Sequence, residues 1–290
     1  MKPMDLSHSV VLITGGARGI GLATAQAFAT AGATVYTGDL DTTLPPGAPD
    51  ASPQPRGSAI AGSISGPWPL DVTSHDSFAR IVDNVIADTG RIDILVNNAG
   101  VMPLGHFLEE PDELSRTTLD VNLWGLIHGL RLVLPHMIAQ GNGHVVNLAS
   151  MAGKIPFPGM AVYNASKYAA VGLTAAVRRE LRGTGVTVSA VLPSAVRTSL
   201  SSGVRLGGLL PTVDAADVAA AILRTCHTRQ AEVAVPRWLA AWKVLDGLTP
   251  SSLMTLGRRL AGDDRGLTAD ATARAAYTDR VATFTHSREA

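Results

Sequence analysis

Short apolar runs alternate with longer stretches of helical spacing through most of the chain. Val10–Thr14 (VVLIT) is apolar up to a pair of glycines, which marks a strand buried on both faces. Gly19–Ala31 follows with Ile20, Ala23, Ala27 and Phe28 along one side, the spacing of a helix. The same alternation predicts strands at Val35–Thr37, Ile92–Val96, His144–Leu148, Val186–Leu192 and Glu232–Val235. Between them it predicts helices at Ser77–Asp88, Leu114–Ala139, Ala161–Leu181 and Ala215–Thr225. Pro135 lies inside the longest of these and predicts a kink just before it. Strands alternating with helices of this length give a parallel sheet with helices on both faces.

Two regions break the rhythm. Asp41–Pro69 is rich in Pro, Gly, Ser and Ala, and Pro45, Pro46, Pro49, Pro53 and Pro55 exclude a long crossover helix. It reads as a mobile surface loop. After Pro236 there is helical apolar spacing at Leu239, Trp242 and Leu245, then at Leu253, Leu256 and Leu260, interrupted at Pro250. Residues 237–290 are therefore expected to form a helical extension packed on the domain built by residues 1–236. A lid over an apolar substrate is one alternative for this tail. A membrane-surface helix is another, with Arg237, Lys243, Arg258 and Arg259 facing headgroups.

Composition narrows the function classes. A chain of 290 residues, 46% hydrophobic, can bury one large α/β core. The 24 basic and 24 acidic residues balance, so charge gives no reason to expect a nucleic acid or an anionic membrane as partner. The one cysteine, Cys226, cannot form an intrachain disulfide and reads as a buried structural residue of a reducing compartment. Met1–Val10 lacks the basic start and apolar run of a signal peptide, and no apolar stretch reaches about 20 residues, so a cytoplasmic protein is expected. The eight histidines form no metal-ligand spacing.

The first strand runs into Thr14-Gly15-Gly16-Ala17-Arg18-Gly19-Ile20-Gly21, which opens the first helix. A pyrophosphate needs backbone N–H groups at close range and gains from the positive end of a helix. Gly15, Gly19 and Gly21 meet both needs in the right strand-to-helix context. Asp39 follows the glycines by roughly 20 residues, the place of a carboxylate that accepts from the adenosine ribose hydroxyls and repels a 2′-phosphate. Arg18 would favour NADP, but Leu40 and Asp41 supply no second cation. The reading is NAD, with NADP as the alternative.

Tyr163-Asn164-Ala165-Ser166-Lys167 starts a helix, so Tyr163 and Lys167 share a face one turn apart. A phenol is almost entirely neutral at pH 7. A neighbouring ammonium favours the phenolate, as do a positive nicotinamide ring and, more weakly, the helix N-terminus. A fall of about two to three pH units, roughly 3–4 kcal/mol, brings such a group into the range of general acid–base catalysis.

With these segments in order, the chain resembles the short-chain dehydrogenase/reductase family from about Val10 to Pro236. The motifs are TGGARGIG at Thr14–Gly21, Asp71-Val72, NNAG at Asn97–Gly100, Asn122 in LDVNLWG, Ser150 in NLAS and YNASK at Tyr163–Lys167. The resemblance implies a Rossmann-like, doubly wound parallel sheet. It implies that Tyr163 is the acid–base residue and that Ser150 holds the reacting oxygen. Lys167 would lower the Tyr163 pKa and hold the nicotinamide ribose, and Asn122 would bind a water in a proton relay through Lys167. Asp71 and Val72 would contact the adenine, and Asn98, Ala99 and Gly100 would line the cofactor channel with the Arg18–Ile20 turn. Pro193, Val196 and Thr198 match positions at the nicotinamide carboxamide. Here Ser194 stands where the family usually has glycine.

Met102, His106, Met151, Pro156, Phe157 and Met160 fall in loops that flank the family's substrate pocket. Their apolar character suggests a lipophilic secondary alcohol or ketone. The expected activity is hydride transfer between NAD(H) and that substrate, with no metal. An NADP-dependent carbonyl reductase, another reaction on the same cofactor such as epimerisation or dehydration, and a non-catalytic nucleotide-binding protein stay as alternatives. By resemblance the chain is expected to form a homotetramer or homodimer through the helices Leu114–Ala139 and Ala161–Leu181.

Overall fold

The apolar run after Ser9 forms β1 (Val10–Thr14), and the helical spacing after the glycines forms α1 (Gly19–Thr30). In this computed structural model, which describes residues 3–48, 60–204, 206, 211–241 and 266–287, the alternation continues as the sequence predicts. β2 (Thr34–Asp39), β3 (Ile64–Pro69), α2 (His75–Thr89) and β4 (Ile94–Asn97) complete the first half. α3 (Asp112–Leu119), α4 (Gly125–Gln140), β5 (Gly143–Leu148), α5 (Ala161–Glu180) and β6 (Val186–Pro193) follow. The short strands β7 (Ala195–Val196) and β8 (Thr212–Val213), then α6 (Ala215–Thr228), β9 (Glu232–Val235) and α7 (Ala271–Ser287) end the order.

Seven strands form one sheet in the order β3-β2-β1-β4-β5-β6-β9, and every pair is parallel. β1 is buried at every position because it is covered on both sides. Its Val11 and Ile13 pack with Phe28 of α1 and Val218 and Ile222 of α6. Val10 and Leu12 point to the other face, against Phe78 and Val82 of α2 and Leu130 and Val133 of α4. This two-residue alternation under two helical layers is what a doubly wound sheet requires.

Three sequence expectations need correction. The segment Asp41–Pro69 is not a loop throughout: its last six residues are β3, which pairs with β2. Proline was the misleading signal. β3 is the edge strand, where a missing N–H at Pro67 or Pro69 costs no ladder bond on the open side. Residues 49–59 of that segment lie outside the described residues.

The expected helix Leu114–Ala139 starts at Asp112 and is not α-helical throughout. A five-residue π-helical turn, Asp120–Trp124, separates α3 from α4, with Gly125 N–H donating to Asp120 O. The π turn lies 11 residues before Pro135, through which α4 continues on its exposed side. A solvent-facing proline is accommodated because the outer carbonyls of a helix can tilt towards water. The π turn leaves no periodicity signal, since it shifts the register by one residue only.

The apolar positions Leu239 and Trp238 belong to a short 3-10 turn (Arg237–Ala241), with Leu239 buried and Trp238 exposed. The other tail positions named above, Trp242 to Leu260 with Lys243, Arg258 and Arg259, lie outside the described residues. α7, which none of the sequence signals singled out, packs back on the fold with Phe284 against the α2/α4 layer. Among the described residues no helix is long and apolar enough to cross a membrane.

Phe78 is fully buried between α2 and α4, and its ring fills the space left by Gly129 of α4. Phe78→Ala should therefore lower the unfolding free energy by about 3–5 kcal/mol, measured by denaturant titration. A loss below about 1 kcal/mol would mean this layer is not close-packed.

Candidate active site

β1 ends at Thr14, and the chain then turns sharply into α1. Gly15 has φ +67°, which favours glycine, and the turn is pinned from β4. Thr14 Oγ1 accepts from Asn98 N (3.0 Å) and Ala99 N (3.1 Å), while Asn98 Nδ2 donates to the carbonyls of Thr14 and Gly15 (both 2.9 Å). α1 presses so close that a Cβ on Gly21 would sit 2.0 Å from Gly15 O. Gly21 is thus the packing glycine of the turn. Gly15 and Gly19 present bare backbone to the cavity above.

Asp39, at the end of β2, accepts from Ala17 N (3.0 Å) and Asp41 N (3.3 Å). Burial raises its pKa, opposed by the Ala17 N–H and by Arg18. The Arg18 guanidinium does not point freely into the cavity: Nη2 donates to Asp41 Oδ2 at 2.6 Å. That hydrogen bond holds the Asp41 carboxyl down at about 2. Asp71 turns inward on itself, accepting from Thr73 N and Thr73 Oγ1 (2.9 and 2.7 Å). The next carbonyl, Val72 O, lies 3.1 Å from His128 Nδ1, so this histidine steadies the stretch of cavity wall that carries Asp71 and Val72.

Ser150, Tyr163 and Lys167, singled out by the sequence, come together at the end of β5. Lys167 Nζ donates to Leu148 O at 3.0 Å, only two residues before Ser150. The turn Met151–Gly153 then folds onto α5, where a Cβ on Gly153 would stand 2.6 Å from Lys167 O. This close approach lets the Ser150 hydroxyl hydrogen-bond the Tyr163 phenol, while Lys167 Nζ lies 5.6 Å from the Tyr163 ring centre. Both α5 side chains are buried.

Burial reverses the electrostatics expected from spacing alone. The Tyr163 phenol is pushed up to about 12, chiefly by burial, with the Ser150 hydrogen bond opposing. Burial pulls the Lys167 ammonium down to about 8. Four-residue spacing predicted that the lysine lowers the tyrosine; withdrawn from water, the phenol becomes harder to ionise and the ammonium easier to deprotonate, though still charged at pH 7.

Asn122 sits in the π-helical turn and is fully buried. Its Oδ1 accepts from Val101 N (2.8 Å), and its Nδ2 donates to Val101 O (2.8 Å) and Ser166 Oγ (3.0 Å). It clamps the loop after β4 to α5.

Of the sequence-predicted site residues, all but Gly21 and Asn122 line one cavity of about 360 Å³. Met102, Met151, Phe157 and Met160 line it too; His106 and Pro156 do not. Ser194, the departure from the family's glycine, donates to Pro211 O at 2.6 Å and so ties the wall that carries Val196 and Thr198. Among the described residues no cluster of His, Cys, Asp or Glu is arranged to hold a metal ion. Cys226 is buried and remote from this cavity.

The sequence reading missed one wall. Tyr277, Arg280, Val281 and Phe284 of α7 line the cavity. Their spacing of four and three residues was available as a helical signal, but nothing local says where such a helix docks.

The comparisons agree with this geometry. A family model described as short chain dehydrogenase matches residues 9–207. Over 203 residues the chain is 37% identical to a 3-oxoacyl-[acyl-carrier-protein] reductase of Thermotoga maritima, covering 68% of this chain and 78% of the relative. It is 31% identical over 219 residues to a trans-4-hydroxycyclohexanecarboxylate dehydrogenase of Sinomonas cyclohexanicum, covering 71% and 80%. A short chain dehydrogenase/reductase from Burkholderia phymatum, solved with NAD, superposes with a TM-score of 0.70 at 26% identity over 83% of this chain and 94% of that one. A metagenomic short-chain oxidoreductase solved with NADP gives 0.65 at 31% identity, over 80% and 98%.

The depressed Lys167 pKa has a stability consequence with a definite sign. The folded protein gives up this proton near pH 8, the unfolded chain near 10.5. Between those values the unfolded state binds more protons, so stability rises with pH. In cofactor-free protein, Lys167→Met should gain stability over the wild type at pH 7, and the gain should shrink by roughly 2 kcal/mol by pH 10. Denaturant unfolding at both pH values checks this, and a gain that grew with pH would overturn the assignment.

Proposed function

The chain belongs to the short-chain dehydrogenase/reductase family and is an NAD(P)-dependent oxidoreductase, and on that premise we propose that it interconverts a lipophilic alicyclic secondary alcohol and its ketone, with NAD preferred. The observation that carries the reading is the Ser150–Tyr163–Lys167 set opening on an apolar wall of Met102, Ala152 and Met160. The name of the cyclohexanecarboxylate dehydrogenase relative supports an alicyclic substrate.

A nicotinamide cofactor fits the cavity because Gly15 and Gly19 leave a side-chain-free floor beneath an Asp39 carboxylate. Gly15, Arg18–Ile20 and Gly21 would hold the pyrophosphate turn, and Asp39 the adenosine ribose. Asp71 and Val72 would flank the adenine. Asn98, Ala99, Gly100, Pro193, Val196 and Thr198 would flank the nicotinamide half, with Lys167 on its ribose. Bound there, the cofactor supplies the hydride chemistry.

The protein supplies the proton. Tyr163, held neutral by burial, donates its hydroxyl proton to the ketone oxygen as the alcohol forms, and takes it back in the reverse direction. Ser150 hydrogen-bonds that same oxygen and fixes its distance from the phenol. Lys167 stays within charge range of the ring and favours the phenolate whenever it forms. Asn122 acts through position, holding the loop at Val101 against α5. Assembly into a dimer or tetramer through α4 and α5, which expose Ile138 and Tyr168, belongs to the same proposal.

NAD is preferred because Asp39 occupies the ribose end and the nearest cation, Arg18, is already paired with Asp41. Asp41→Asn should loosen Arg18 and raise kcat/KM with NADP by about tenfold relative to NAD, roughly 1.4 kcal/mol; an unchanged ratio would remove Arg18 and Asp41 from cofactor choice. Tyr163→Phe should cut turnover of a cyclohexanol-type substrate by at least about 100-fold, the scale of lost general acid catalysis. NADH affinity, followed by fluorescence, should stay within a few-fold. Persisting turnover would sink the proton assignment.

A further inference from the structure

α7 lies beyond the matched residues 9–207, and no motif assigns a role to it. Its inner face is nonetheless built into the cavity by a buried cation. Arg274 is 5% exposed and makes no ion pair among the described residues. Its guanidinium donates to three backbone carbonyls instead: Leu200 O (3.0 Å), Ser202 O (2.9 Å) and Met102 O. Those carbonyls belong to the two loops on either side of the substrate end, one after β4 and one after β7. A guanidinium offers five donors in a fixed fork, so it can stitch two loops to one helix where a lysine cannot.

The same guanidinium lies 4.5 Å from the ring centre of Tyr277. The Tyr277 oxygen is fixed from the other side, accepting from Met102 N at 2.7 Å. The hydroxyl proton is left without an acceptor among the described residues, and the group lines the cavity near enough to Tyr163 to act on its charge. Arg280, one turn further along, lines the cavity from its exposed rim and also makes no ion pair among the described residues.

Charge along the cavity is therefore polarised. The lining carboxylates Asp39, Asp41 and Asp71 end or follow β2 and β3, on the other side of β1 from the loop after β4 that carries Met102. The lining cations Arg18 and Lys167 are committed to Asp41 and to Leu148 O. Arg280 is the remaining cation, beside a preset phenol donor and an apolar wall of Met102, Ala152 and Met160.

We propose that α7 makes this site selective for an alicyclic substrate bearing a carboxylate, with Tyr277 donating a hydrogen bond to that group and Arg280 supplying its counter-charge. Arg274 is the positioning residue that holds Tyr277 in place. The proposal rests on the reading of this cavity as the alcohol site. A charge-assisted hydrogen bond from a buried phenol, with a cation at the pocket mouth, favours an acid over its neutral isostere, because the carboxylate accepts more strongly and gains the counter-charge.

The test uses the NADH complex and two ligands of one shape, cyclohexanecarboxylate and cyclohexanecarboxamide, titrated by calorimetry. The wild type should bind the carboxylate at least tenfold more tightly. Arg280→Ala should bring the ratio close to one, Arg280→Lys should restore most of it, and Tyr277→Phe should lower carboxylate affinity several-fold. Equal affinity for the two ligands in the wild type, or a ratio unmoved by Arg280→Ala, overturns the proposal. So does an Arg280→Ala variant that weakens NADH itself while leaving the ratio intact, since the cation then serves the pyrophosphate. Oxidation of trans-4-hydroxycyclohexanecarboxylate, followed as NADH formed, is scored separately. Selective carboxylate binding without turnover of such alcohols sinks the functional reading and leaves the carboxylate site standing. Turnover with no acid preference does the reverse.

Discussion

All seven strands of the sheet run the same way, so their carboxyl ends share one edge. That single constraint brings together the glycine turn after β1, Asp39 after β2 and Asp71 after β3. It also brings Asn98–Gly100 after β4, Ser150 after β5 and the Pro193–Thr198 segment after β6. Residues more than a hundred positions apart meet because crossover helices return each strand to the same starting edge. Short side-chain ties then set the finer geometry. Thr14 and Asn98 lock the first turn to β4, and Asn122 locks the next loop to α5.

Burial governs the chemistry of that edge. Tyr163 and Lys167 are both withdrawn from water, and each is shifted towards its neutral form as a result. A neutral phenol hydrogen-bonded to Ser150 still carries a proton it can donate, and the Lys167 ammonium held on Leu148 O is pulled down to about 8. The arrangement costs stability, as strained or desolvated functional groups generally do. The cost is met by the two apolar layers packed on either face of the sheet.

Much of the site was legible in the chain. The VVLIT run, the glycine turn and the YNASK segment each carry a local signal, and all but two of the residues chosen from motifs line the cavity. Gly21 and Asn122 are the exceptions. They shape the site from behind, through a close backbone approach and a triple hydrogen bond, and only packing distinguishes such a residue from one that touches the ligand. β3 was hidden because its prolines speak against a strand, until its place at the sheet edge removes the objection. The π turn at Asp120–Trp124 was hidden because one extra residue leaves the apolar stripe almost unchanged.

The sequence by itself determined the alternation of strands and helices, the glycine-rich turn between β1 and α1, and the one-turn spacing that sets Tyr163 and Lys167 on one face of a helix. These are properties of neighbours along the chain, where periodicity and spacing act directly. Tertiary structure alone decided three things. It buried the Tyr163–Lys167 pair, so that the phenol is harder to ionise and the ammonium easier to deprotonate than spacing alone implies, because desolvation depends on what surrounds a group and not on its distance in sequence. It committed Arg18 to Asp41, and with it the charge at the ribose end. It carried α7 back across the cavity, where Arg274 binds carbonyls from two loops, the more distant of them 172 positions earlier in the chain. No pattern in the tail encodes that docking, since a buried guanidinium finds its acceptors only after the sheet has brought those loops to the same edge.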